Sequence, residues 1–394
     1  MTRFEGRSFT GALRIAALAI TLFASAACHD AEPRAGSGDA NPDELRELDA
    51  DAAKRLDAGI HRVMHEMGIP GAIIGLWMPA EGAYVRAFGV ADEATGAPMT
   101  PYLYMRIGSV TKTFSVTALL QLVDQGKIGL DDAISKYVAG VPEGDRITLR
   151  HLAGMRSGIR DFGVDADFGK NFVNDPRHIF TAEELLGYGL RHPLSFEPGN
   201  GFEYSNTNTV LLGLVIEKVS GQHLDEYLRE HVFEPLRLGQ TSYPTTSFFP
   251  SPHPRAYTSL TPDGRVVDGS DWSLWSAGAA GGVISRLDDM LIWSKALATG
   301  RLLTPAMHAE RLQGVTLPKN PGVRYGLGLF DAGGWIGHNG SIAGFESLMV
   351  YLASRDTPLI ILLNTDVRRN GASPALQLAK AITSIATPEN PIPL

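Results

Sequence analysis

The sequence is poor in several features that would otherwise narrow its class. It holds one cysteine, Cys28, in 394 residues, so no disulfide can form within a single chain. Its N-terminal apolar stretch, Ile15 to Phe23, is too short for a bilayer, which needs roughly 20 apolar residues in a helix. Charge of one sign is nowhere concentrated beyond the extreme N-terminus: 35 basic and 43 acidic residues are mixed along the chain for a net charge of -8. A nucleic-acid partner is therefore not expected. There is no His-Glu-x-x-His and no clustered His/Asp pattern of the kind that would suggest zinc. No internal repeat stands out. What remains is a chain of 44% hydrophobic content, ample for a core in one large domain or two.

The N-terminus carries Arg3, Arg7 and Arg14, then the apolar stretch, then Ala24-Ser25-Ala26-Ala27 ending at Cys28. Charged, apolar and small segments in that order predict an export signal over 1–28. A lone cysteine directly after small residues resembles the lipidated cysteine of a bacterial lipoprotein signal. The expected location is the periplasm or the outer face of the cell envelope, with a lipid anchor at Cys28 as the sole membrane contact. Ordinary cleavage after Ala26 is the other reading. Residues 29–42, rich in small residues, Pro and Gly, read as a flexible tether.

From Asp43 to Met67 the apolar residues Leu45, Leu48, Leu56, Ile60, Val63 and Met67 keep helical spacing and predict a long amphipathic helix. Gly71–Met78 and Ala83–Val90, joined by Pro79-Ala80-Glu81-Gly82, read as a β-hairpin. Helical patterns then dominate, at Thr148–Met155, at Asn208–Ser220 and after the capping box Thr181-Ala182-Glu183-Glu184. After a helix capped by Ser285 and closed by Gly300, strand patterns return at Tyr325–Phe330, Trp335–His338, Glu346–Leu352 and Leu359–Leu363. Ser373-Pro374 opens a last helix. Strands at both ends and helices between them predict an α/β (α+β) fold. Its antiparallel sheet, flanked by N- and C-terminal helices, comes from 43–130 and 258–394, with a mostly helical domain inserted at 131–257.

Three stretches carry candidate chemistry. Ser109-Val110-Thr111-Lys112 precedes the apolar run Phe114–Val123. Residues three apart share a helix face, so the Lys112 amine would approach the Ser109 hydroxyl, a nucleophile beside a base. Ser109 also reads as a plain N-cap and Lys112 as a solvated charge. In Glu203-Tyr204-Ser205-Asn206 the tyrosine could relay protons if an ammonium lowers its pKa, and the asparagine could orient a carbonyl or the lysine. A packed tyrosine beside an Asn helix cap is the plainer reading. In Gly337-His338-Asn339-Gly340-Ser341 the glycines would admit a substrate backbone, the Ser341 N–H could join that of Ser109 as an oxyanion hole, and His338 would form a polar or cationic wall. On its own this stretch reads as a turn with an exposed histidine.

Together, and in this order, the three motifs resemble the penicillin-recognising serine hydrolases, in particular the branch of class C β-lactamases and secreted D-alanyl-D-alanine carboxypeptidases that shares its fold with carboxylesterases. The resemblance runs from about residue 45 to 385 and includes Leu120–Lys127, Met155-Arg156-Ser157-Gly158 and Tyr204–Asn208. It implies that Ser109 forms an acyl-enzyme, that Lys112 and Tyr204 handle its proton, and that Asn206 holds the substrate and the lysine. His338, Asn339, Gly340 and Ser341 would line the substrate and oxyanion side. It also implies a small-molecule or peptidoglycan stem-peptide substrate, with β-lactams as acylating ligands and no cofactor. Two departures stand out. Asn339 replaces the usual Thr or Ser, and the stretch Gly326–Trp335 lacks the carboxypeptidases' carboxylate-gripping arginine, leaving Arg324 as the nearest candidate. The first expectation is thus a D-alanyl-D-alanine carboxypeptidase-type serine hydrolase, with a β-lactamase or carboxylesterase as the near alternative. A non-catalytic penicillin-binding-like module is the alternative of another class.

Overall fold

The computed structural model describes residues 46–273 and 278–393, so the signal, Cys28 and the tether lie outside the described residues. Among these residues a nine-stranded antiparallel sheet is assembled from both ends of the chain. The N-terminal part gives β1 (Gly71–Met78), β2 (Gly82–Asp92) and the short β3 (Ala97–Pro98). The C-terminal part gives β4 (Val315–Leu317), β5 (Asn320–Tyr325), β6 (Phe330–Ala332), β7 (Trp335–Ile342), β8 (Phe345–Leu352) and β9 (Thr357–Leu363). The spatial order is β3-β2-β1-β9-β8-β7-β6-β5-β4, closed in the middle where Ile74 lies opposite Ile361.

The helices are α1 (Ala50–Met67), α2 (Thr111–Asp124), α3 (Leu149–Ala153), α4 (Ala166–Asn174), α5 (Ala182–Leu190) and α6 (Asn206–Ser220). They continue with α7 (Leu224–Leu228), α8 (Leu287–Thr299), α9 (Pro305–Leu312) and α10 (Pro374–Ala386). Every residue of β1, β8 and β9 is buried, because both faces of the central strands are covered. Ile74, Leu348 and Ile361 face α1 and α10, while Ile73, Met349 and Ile360 face the cluster that contains α2 and α8. That double burial is why these strands read as unbroken apolar runs, each buried Leu or Ile contributing roughly 1.5–3 kcal/mol.

Several boundaries differ from the sequence reading. The first helix begins at Ala50, not Asp43: Asp49 caps it by accepting from the N–H groups of Asp51 and Ala52, and residues 46–48 instead pair with Ala83 at the start of β2. Ser285 is no cap. It bonds the Thr241 hydroxyl at 2.8 Å, and α8 opens after Arg286 with Asp288 and Asp289 in its first turn. The run Tyr325–Phe330 is a hairpin rather than one strand, since the Gly326 N–H donates to the Leu329 carbonyl and turns β5 into β6. Trp335–His338 continues to Ile342, so the stretch read as a turn is the middle of β7.

Candidate active site

Ser109 lies in a single 3-10 turn, Gly108–Val110, that leads directly into α2. This turn is pressed against β7. Gly108 has φ +51°, and a Cβ there would stand 2.8 Å from the Ser341 nitrogen. From the strand side, a Cβ on Gly340 would stand 2.0 Å from the Ile107 carbonyl oxygen. The missing side chains on both partners allow the close approach that brings the Ser109 turn beside Ser341. Ser347, opposite Gly340 on β8, fixes it by donating its hydroxyl to the Ile107 carbonyl at 2.8 Å.

Lys112, the second residue of α2 and three beyond Ser109, is fully buried. Its Nζ lies 3.0 Å from Ser109 Oγ, 2.6 Å from Asn206 Oδ1 and 2.8 Å from the Ala280 carbonyl oxygen. Burial lowers its pKa from 10.5 to about 7, against the opposing pull of the Asp161 carboxylate. At neutral pH a large share of this lysine is a free amine. A neutral amine has two N–H groups and one lone pair. Asn206 Oδ1 and the Ala280 carbonyl can only accept, so they take the two N–H groups and the lone pair faces the Ser109 hydroxyl.

Tyr204 lies two residues before α6; Ser205 holds the N-cap position without a side-chain cap bond, so Asn206 is the first helical residue rather than the cap. The Tyr204 ring lies beneath the Lys112 amine, 4.8 Å from Nζ to the ring centre. Its hydroxyl is buried and completes no hydrogen bond, and burial drives its pKa well above 10 despite a favourable influence from Ser109. The condition set for a proton-relaying tyrosine, a pKa lowered by an ammonium, is thus not met: burial holds Tyr204 as a neutral phenol, while the neighbouring Lys112 is the group brought down to about 7.

His338 is also corrected. It is 2% exposed, and burial together with nearby Lys112 lowers its pKa from 6.5 to about 3. It donates Nδ1–H to the Asn339 carbonyl, so Nε2 is the acceptor for the Tyr325 hydroxyl at 3.1 Å. Packed among Tyr204, Tyr325 and Phe330, it is a neutral wall, neither exposed nor cationic. Asn339 is half-buried and Ser341 is exposed on the same strand. Arg324 donates to the Gly314 carbonyl at 3.0 Å.

The structure therefore gathers the Ser109–Lys112 turn, Tyr204, Asn206 and the His338–Ser341 strand around one point. Sequence reasoning missed three participants. The Ala280 carbonyl belongs to the backbone, which carries no side-chain signal. Tyr325 was read only as the start of a strand. Asp161 lies three residues beyond Gly158, just past the stretch that carried the resemblance, and accepts from Asn206 Nδ2 at 3.0 and 3.2 Å.

The sequence profile of the family described as Beta-lactamase matches residues 56–382, which contain every element of this arrangement. The chain belongs to the beta-lactamase family. A D-stereospecific amidohydrolase from Streptomyces sp. superposes with a TM-score of 0.75 at 31% identity, over 86% of this chain and 98% of that one. The D-amino acid amidase of Ochrobactrum anthropi SV3, in its complex with L-phenylalanine amide, does so at 0.75 and 28% identity, over 85% and 97%. Protein flp of Staphylococcus aureus (strain MW2) is 26% identical over 329 residues, 80% of this chain. The chain spans 64% of the length of flp, so flp extends well beyond the shared part. The family is one of penicillin-recognising serine hydrolases, and the mixed fold with its antiparallel sheet is the family's fold.

Proposed function

We propose that this protein hydrolyses an amide or ester through an acyl-enzyme on Ser109. The Ser109 oxygen attacks the substrate carbonyl while its proton passes to the Lys112 lone pair. Tyr204, a neutral phenol over which the amine sits, relays that proton to the departing amine or alcohol, completing cleavage. The N–H groups of Ser109 and Ser341 receive the developing oxyanion. Water then attacks the acyl-enzyme, with Lys112 or Tyr204 taking its proton, and Ser109 is regenerated.

Within that reaction, a D-alanyl-D-alanine carboxypeptidase must recognise the free carboxylate of its peptide. The observation that carries our reading is that His338 is neutral with both ring nitrogens occupied, while Arg324 is turned to a backbone carbonyl. His338 thus offers no cation to a carboxylate, and the Arg324 guanidinium is tied to Gly314 instead of to a residue of the site. We therefore favour substrates whose leaving side is uncharged, of the D-amino acid amide type suggested by the two superposed amidohydrolases. The expected result is a higher kcat/KM for D-phenylalanine amide than for a peptide ending in D-Ala-D-Ala. The opposite ranking would return the assignment to a carboxypeptidase, and rapid turnover of a penicillin with neither would return it to a β-lactamase.

We also propose export with lipidation at Cys28, supported by the order of segments before it. A mature protein that carries no acyl mass at Cys28 would refute the anchor.

A further inference from the structure

We infer that Asp161 is a positioning residue for proton acceptance: it holds the Asn206 amide with Oδ1 toward Lys112 and so turns the lysine lone pair to Ser109. This rests on the proposed role of Lys112 as base. An asparagine amide is nearly isosteric when rotated end over end, and nothing on its Lys112 side alone decides which end faces the amine. The decision comes from the other side. A carboxylate can only accept, and Asp161 Oδ1 and Oδ2 lie 3.2 and 3.0 Å from Asn206 Nδ2, with Oδ1 also 3.2 Å from the Asn206 backbone N–H. The NH2 end must therefore face Asp161, and the carbonyl end must face Lys112.

The consequence for catalysis is specific. With the amide reversed, Asn206 would donate to the neutral amine and occupy its lone pair. The two lysine N–H groups would then point to the Ala280 carbonyl and to Ser109 Oγ, and the serine proton would have no acceptor. Asp161 has a second effect through its charge, which opposes the lowering of the Lys112 pKa by burial. The other titratable groups facing Lys112 are Tyr204 and His338, and the buried Arg311 lies behind α2, where it binds Thr117 Oγ1 and the Thr113 carbonyl. Arg160, beside Asp161, is exposed and directed to Ser195. A plainer role also exists, since Asp161 Oδ1 accepts from the Gly163 N–H at 3.1 Å and caps the following turn.

The test is the rate at which a fluorophosphonate labels the full chain as a function of pH. In that step an O–P bond forms at Ser109, the P–F bond breaks, fluoride leaves, and Lys112 takes the serine proton. Wild type, Asp161→Asn, Asn206→Ala and the double variant form a cycle. Asp161→Asn is expected to slow labelling by about 100-fold and to move the acidic limb below the wild-type midpoint. In the Asn206→Ala background the same change should cost less than about threefold, because the amide it orients is already gone and only its charge still acts on Lys112. Full labelling at the wild-type midpoint in Asp161→Asn, or an equal loss in both backgrounds, would overturn the inference. Asp161→Ser is read by the same criteria, and failure of both Asp161 variants to fold would assign the residue to the turn and overturn it as well. A wild-type profile with no limb near 7 would instead refute Lys112 as the base.

Discussion

The two walls of the site differ in kind. On the helical wall, a buried lysine, Lys112, bonds the half-buried Ser109 and Asn206 above the Tyr204 ring, and its pKa lies at about 7. On the strand wall, His338 is locked neutral by burial and both its nitrogens are spent on Asn339 and Tyr325. Similar burial therefore has different outcomes. A lysine that starts at 10.5 is lowered into the working range, whereas a histidine that starts at 6.5 is lowered out of it, to about 3. On the proposed mechanism, proton chemistry belongs to the helices, and the strand contributes shape and backbone N–H groups.

That contrast can be broken by substitution. Removing the base has the largest expected effect: Lys112→Met should lower kcat/KM by about 1000-fold and abolish the acidic limb near pH 7 that the lowered lysine imposes on the wild type. Tyr204→Phe should cost about 100-fold, with the melting temperature nearly unchanged, because the lost hydroxyl completes no hydrogen bond. Wild-type turnover in that variant would return Tyr204 to packing.

The strand wall should respond in stability more than in rate. His338→Phe is expected to lower kcat less than about tenfold while leaving Tyr325 without its partner, at a cost of about 1–3 kcal/mol. The sign of its pH effect follows from linkage. Between pH 6.5 and about 3 the unfolded chain takes up a proton on His338 that the folded chain refuses, so wild-type stability falls with acid across that window. In His338→Phe that part of the slope should vanish. A melting curve measured against pH checks it, and an unchanged slope would mean that His338 is charged in the fold.

Much of this architecture was legible in the sequence where one physical signal dominated. The doubly covered β1 and β9 announced themselves as unbroken apolar runs, and the Thr181 capping box marks the start of α5 as expected. The three motifs were legible because they are local. The second half of β7 was not, since Asn339-Gly340-Ser341 has the composition of a turn, and its strand conformation is imposed by pairing with β8 and by the approach of the Ser109 turn. The protonation states were equally hidden. They depend on burial, and on groups such as Asp161 and the Ala280 carbonyl that reach Lys112 only in the folded chain.

The most direct measurement is the pre-steady-state release of p-nitrophenol from p-nitrophenyl acetate, with the acetylated residue mapped by mass spectrometry across a pH range spanning 7. The account predicts a burst whose rate rises with pH through a midpoint near 7, and an acetyl group on Ser109 that is absent in Ser109→Ala. An adduct on another residue, or a burst rate flat across that range, would contradict it.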